Sequence, residues 1–238
     1  MADEPLDVPT APWSEVLPEF MELWEQGQHV IIIGRTGRGK TTFEHAILDA
    51  RLEERDASVV IIETKPRDRT MQRLAREGWH VIKRWPPDYA ARASRRVILW
   101  PPYSVPSRAR ATTGPVIVEA LDEIMLEGGW TVCLDEAGYL VETLGLRHVL
   151  DEFWQGARTS GICLVAGSQR PVWIARGQVS QGDWAISFVI SDEDDRERMA
   201  QVMGSRKLWK PEIARLRDHQ LLLVNTMTQA GVVTTVEV

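Results

Sequence analysis

The stretch His29–Thr42, HVIIIGRTGRGKTT, decides the fold. Apolar β-branched residues run straight into a glycine-rich loop, and the loop opens a polar, helix-forming segment. Gly34, Gly39, Lys40 and Thr41 are in register for G-x-x-x-x-G-K-[ST], with Gly37 between them. In a strand–loop–helix of this kind, backbone N–H groups converge on phosphate oxygens at the positive end of the following helix. The cradle is Gly34, Arg35, Thr36, Gly37, Arg38, Gly39, Lys40, Thr41 and Thr42. Lys40 is placed to reach the β- and γ-phosphates of a nucleotide, and the Thr41 hydroxyl to hold Mg²⁺. Arg35 and Arg38 suit phosphate, a neighbouring subunit or solvent, and the pattern does not choose among them.

Outward from this loop, short Val/Ile/Leu runs alternate with helical patterns. That is the signature of an α/β domain with a mostly parallel sheet whose strands are covered on both faces. The expected strands are His29–Ile33, Ser58–Glu63, Trp79–Lys83, Val97–Trp100, Trp130–Leu134, Ile162–Ala166 and Ala185–Ile190. The expected helices are Thr41–Glu54, Arg69–Glu77, Pro115–Glu127, Arg147–Gly156 and Asp192–Met203. The C-terminal run HQLLLVNTMTQAGVVTTVEV reads as a β-hairpin turning at Gln229–Gly231. Residues 1–26 read as an N-terminal extension, loose to about Thr10, before a single domain over 27–238. Arg84–Gly114, rich in Arg and Pro, reads as an insertion or loop region on the sheet edge.

Two further segments carry chemistry. In TVCLDEAGYL an apolar strand ends in Asp135 and Glu136, and strand C-termini are where open parallel sheets bind ligands. Asp135 suits the acid that orients Mg²⁺, and Glu136 the base that polarises an attacking water. Alternatively, the pair only stabilises a helix N-terminus. In GICLVAGSQRP another buried strand ends in Ser168 and Gln169, and Gln169 suits a hydrogen bond to the γ-phosphate or the water. An acid pair with a nearby glutamine favours water activation over transfer to an acceptor. A kinase and a slow nucleotide-gated assembly protein are the competing classes.

The 238 residues are 44% hydrophobic with net charge -6, enough for one substantial core and contrary to a surface basic all over. No apolar run nears the roughly 20 residues of a membrane-spanning helix, and the acidic, Pro-rich start is unlike a secretory signal. Cys133 and Cys163 lie in apolar strand-like runs and read as buried free thiols of a cytoplasmic protein.

Together the three motif segments resemble the FtsK/HerA superfamily of ATP-driven DNA motors, over roughly Gly27–Asn225. The most specific block is GARTSGICLVAGSQRP. DWAISFVISDEDDRERMAQVMG looks like the family's last core strand and helix, and IIETKPRD like its second strand, where Asp-Pro-Lys is frequent. The resemblance implies a RecA-like P-loop ATPase core with an additional strand and a catalytic glutamate, using ATP and Mg²⁺ and working as a homo-oligomeric ring of five or six subunits on double-stranded DNA. By resemblance Arg158 matches the arginine that reaches a neighbour's nucleotide, expected to project from the sheet's C-terminal side, and Gln169 matches the sensor. A bare core of this size looks most like a viral genome-packaging ATPase, with a capsid or portal component as partner and the host cytoplasm or virion as its place. A plasmid-transfer or chromosomal pump is the alternative. Candidate DNA contacts are Lys65, Arg67 and Arg69, then Arg92, Arg95 and Arg96, then Arg108 and Arg110.

Overall fold

The computed structural model describes residues 8–35, 37–54, 57–173 and 182–236. The aliphatic runs form one nine-stranded sheet in the order β3-β4-β2-β5-β6-β1-β7-β8-β9. Its strands are β1 (Val30–Ile33), β2 (Ser58–Ile62), β3 (His80–Ile82), β4 (Arg96–Leu99), β5 (Trp130–Leu134), β6 (Cys163–Ser168), β7 (Trp184–Ser187), β8 (Gln220–Asn225) and β9 (Gly231–Thr235). β3 through β7 in that order pair parallel, and the expected hairpin β8–β9 adds antiparallel to β7.

Alternate residues of each strand face opposite cores, as the period of two requires. Ile31 and Ile33 enter one apolar cluster with α5 (Pro106–Glu127), α7 (Arg147–Ala157), α8 (Glu193–Val202) and α9 (Arg206–Arg215). Val30 and Ile32 enter the other, with α1 (Trp13–Leu23), α2 (Lys40–Glu54) and α3 (Arg69–Arg76). Covering both faces explains why the strands read as unbroken apolar runs. Among the described residues the remaining α-helices are short: α4 (Tyr89–Ser94) and α6 (Ala137–Glu142).

Three expectations need correction. Residues 9–11 are tied down: Pro9 O accepts from Val233 N, and Ala11 N donates to Val233 O, so they lie along the outer edge of β9. α1 then buries Val16, Phe20 and Met21. Arg51, 1% exposed, locks that segment to the sheet, donating to Trp24 O at 2.9 Å, Gln26 Oε1 at 2.8 Å and Thr131 Oγ1 at 3.0 Å. The stretch 84–114 is more regular than its composition suggests. It supplies α4 and β4, the latter inside the sheet, and α5 starts at Pro106, nine residues before Pro115. Pro106 fills the first helical turn, where a missing N–H costs nothing, while Gly114 and Pro115 disguised the helix in the sequence. α1 and α9 escaped the sequence pattern for a similar reason, since each contains a proline, Pro18 and Pro211.

Both cysteines are free and buried. At the N-terminal ends of the strands, His29 is fully buried, and burial pushes its imidazole down to about 4, so it stays neutral.

Candidate nucleotide site

β6 separates β1 from β5, so the glycine loop and the acid pair sit two strands apart with β6 between them. All three strands end on the same side of the sheet, and the ends bring the motif residues together. Arg35, Gly37, Gly39, Lys40, Thr41, Thr42, Lys65, Glu136 and Gln169 line one cavity of about 260 Å³. Thr36 lies outside the described residues.

Local geometry explains the glycines. Gly37 and Gly39 have φ of 78° and 95°, values that favour glycine. Gly34 leaves the strand against Phe188, whose Cβ stands 2.9 Å from where a side chain would begin, and its N–H donates to Ser168 O at 3.1 Å. α2 begins at Lys40, aiming its N-terminus into the cavity.

Lys40 is 7% exposed. Its Nζ reaches across β6 to donate to Asp135 O at 2.9 Å, and lies 3.3 Å from Glu44 Oε1. The crossing is open because position 167 has no side chain. A Cβ there would collide with Glu44 Oε1 and stand 2.8 Å from Asp135 O and 3.0 Å from Lys40 Nζ. Burial works against the Lys40 charge, but the carboxylates of Glu44, Asp135 and Glu136 outweigh it and hold its pKa above the ordinary lysine value. Glu44 is 1% exposed, and burial pushes its carboxyl up despite Lys40. Neither Glu44 nor Gly167 was singled out from sequence. The signal for Glu44 was its position one turn after Lys40 on the same helix face.

Asp135 is 3% exposed; Lys40 and Lys65 keep its carboxyl below the usual range against the pull of burial. Lys65 Nζ pairs directly with Asp135 Oδ2 and lies 3.6 Å from Asp68 Oδ2. Lys65, expected at DNA, therefore lines this cavity. Glu136 caps α6, as the alternative reading had it, but offers its helix no side-chain bond and instead accepts from Gln169 Nε2 at 3.0 Å. Ser168 Oγ lies 3.5 Å from Glu136 Oε1. Arg35 reaches Ser191 Oγ at 3.3 Å, and Arg38 pairs with Asp218.

Arg158 lies elsewhere. It ends α7, before β6, and so stands at the N-terminal ends of the strands, opposite the glycine loop. Its Nη2 donates to both oxygens of Asp183 at 2.8 Å, and Asp183 Oδ2 also accepts from His29 N at 2.7 Å. The expected projection from the C-terminal side is thus corrected: a residue that precedes a parallel strand lies at the end opposite to one that follows it. The same rule moves Arg92 and Arg95, which precede β4, and Arg96, its first residue, away from the cavity. Arg92 is moreover paired with Glu127 at 2.7 Å. Arg67, Arg69 and Arg108 are exposed on the C-terminal side, with Lys83 and Arg84 after β3. Arg110, on the same side, donates to Leu144 O at 3.3 Å.

No family model matches the sequence, and no curated protein matches it. Solved structures match the fold. B204, the DNA-packaging ATPase from Sulfolobus Turreted Icosahedral Virus, is 17% identical with a TM-score of 0.66, over 90% of this chain and 100% of that one. VirB4 of Thermoanaerobacter pseudethanolicus is 11% identical with a TM-score of 0.65, over 89% of each chain. The bacterial conjugative coupling protein TrwBdeltaN70 is 13% identical with a TM-score of 0.60, over 90% of this chain and 85% of that one. The fold expected from the FtsK/HerA resemblance, a large, mostly parallel sheet flanked by helices, is the fold found, and it matches these solved structures.

Proposed function

We propose that this chain is an ATP-hydrolysing motor subunit that moves double-stranded DNA as part of a homo-oligomeric ring. The observation that carries the reading is the convergence of Lys40, Glu136 and Gln169, from three separate strand ends, on one cavity beside Thr41 and Asp135. Thr41 Oγ1 and the ionised Asp135 carboxylate are hard oxygen donors that suit Mg²⁺ with most of its water shell. Among the described residues no cluster of three or more His, Cys, Asp or Glu side chains forms an all-protein cage for a metal. The ion would neutralise charge on the phosphate oxygens.

The chain's own groups do the rest. The N–H groups at the start of α2 bind phosphate oxygens at the positive helix end. Lys40 turns from Glu44 towards the terminal phosphates and offsets the charge that builds there. Glu136 accepts the proton of the attacking water, while Gln169, already bonded to Glu136 Oε2, fixes its direction.

Arg67, Arg69, Arg108, Lys83 and Arg84 are exposed basic groups of the same face, and we assign DNA contact to that rim. Genome packaging is the finer form of the reading, with a capsid or portal component as docking partner in the host cytoplasm or virion. The match in fold to a DNA-packaging ATPase over 90% of this chain and 100% of that one supports it. Double-stranded DNA should raise the hydrolysis rate, and the effect should fall steeply with salt as counterion release weakens. Arg67→Ala/Arg69→Ala/Arg108→Ala should cut DNA affinity by about 10-fold or more and lower the salt slope by about 0.9 per lost phosphate contact, leaving DNA-free hydrolysis unchanged. Full hydrolysis with no response to DNA of any length would leave a nucleotide-gated assembly protein.

Arg158 serves the fold through Asp183, and the resemblance gives it a second role towards a neighbour's nucleotide. Asp183→Ala should cost more stability than Arg158→Ala, because it also strands the buried His29 N–H, by about 1–3 kcal/mol. A double-mutant cycle on melting temperatures checks the pair. Mixing Arg158→Ala with Lys40→Ala subunits, each inactive alone, should restore part of the hydrolysis through rings that join an intact loop to an intact neighbouring arginine. No recovery would confine Arg158 to the fold.

A further inference from the structure

The loop between β2 and α3 is anchored at three points and touches the cavity through one side chain. Glu63 Oε1 accepts from Thr64 N at 2.7 Å and Lys65 N at 2.6 Å. Lys65 O accepts from Trp100 Nε1 at 2.8 Å. Asp68 Oδ1 caps α3, accepting from Thr70 N at 2.8 Å and Met71 N at 3.0 Å. The side chain that leaves this frame is Lys65, whose ammonium sits on Asp135 Oδ2.

Asp135 is 3% exposed, so little room surrounds its carboxylate for a second cation. An ammonium on Asp135 Oδ2 and a hydrated Mg²⁺ held by the same carboxylate would compete for one place, by charge and by volume. The loop also holds an acceptor for a released ammonium: Glu63 is fully buried, and its Oε2 has no hydrogen-bond partner. Two and four residues beyond Lys65 stand the exposed Arg67 and Arg69.

We propose that Lys65 is a positioning residue that occupies the cation place on Asp135 while the site is without metal, and leaves it when magnesium–nucleotide binds, shifting the loop that carries Arg67 and Arg69. This rests on the nucleotide-site reading. Lys65 then links occupancy of the cavity to the disposition of the basic rim, with no contact to phosphate of its own. The differential interaction such a link requires is the loss of one ion pair in one state only.

The test is binding, without turnover. A fluorescent, non-hydrolysable ATP analogue is titrated with Mg²⁺ on wild type, Lys65→Met and Lys65→Arg, and by hydrogen exchange the 64–69 segment is followed in each. Lys65→Met should lower the Mg²⁺ concentration for half-maximal binding by about five-fold or more, with no large loss of affinity in EDTA. Lys65→Arg should restore the wild-type midpoint. In wild type, exchange over 64–69 should rise with Mg²⁺ plus analogue but not with analogue alone, and in Lys65→Met it should be high throughout. An unchanged Mg²⁺ midpoint in folded Lys65→Met overturns the proposal. So does a large loss of affinity in EDTA, which would make Lys65 a phosphate ligand. Failure of the wild type itself to bind the analogue overturns the nucleotide-site reading and this inference with it, a result distinguishable from the other two.

Discussion

Lys40→Ala should reduce ATP hydrolysis by about 10³-fold, the range seen when one preorganised donor is removed from developing charge, and nucleotide affinity should fall with it. The variant also strips Glu44 of its buried partner. Breaking a buried pair from one side costs about 3–5 kcal/mol when the remaining charge stays. Burial already pushes Glu44 upward, and without Lys40 it will take a proton instead, which limits the damage. Lys40→Ala/Glu44→Gln separates the two effects, because it should recover the melting temperature and none of the activity. A folded double variant hydrolysing ATP near the wild-type rate would remove Lys40, and the glycine loop with it, from the chemistry.

Glu136→Gln should keep nucleotide binding and lose turnover by about 10²–10⁴-fold, the usual worth of a positioned general base. The amide keeps the shape and still accepts from Gln169 Nε2 through its oxygen, so the pocket persists while the proton acceptor is gone. Single-turnover assays beside equilibrium binding decide it. Loss of binding together with turnover would make Glu136 a structural cap of α6. The helix lacks any side-chain bond from Glu136, which argues for the catalytic role.

The part of the site that follows a strand was legible in the sequence. Gly34, Asp135 and Gln169 each stand at the C-terminal end of a strand, with Glu136 next to Asp135 and Lys40 at the end of the loop that Gly34 opens, and in a parallel sheet all such residues share one end. Arg158, Arg92 and Arg95 precede strands and Arg96 begins one, and the same reasoning applied to them would have set them at the other end. Lys65 follows β2, but its place in the cavity depends on β2 pairing with β5, and strand order is a long-range fact that local patterns do not carry. Glu44 and Gly167 were hidden for opposite reasons. One is an acid that reads as helix surface until the fold buries it, and the other matters through the side chain it lacks. α5 was misplaced because Gly114 and Pro115 mimic a boundary, and only packing overrides that local signal.

The pairing of Arg158 with Asp183 has a mechanical consequence. Arg158 leads into β6, Asp183 into β7, and His29, bonded to Asp183, into β1. At their far ends these three strands deliver Gln169, Phe188 under Gly34, and the glycine loop itself. Extended strands hardly stretch, and six residues span roughly 20 Å. The three therefore act as parallel tie-rods fastened by one clasp at the base. A load on that clasp reaches the cavity as a displacement of its floor, with no flexible joint along the rods to absorb it.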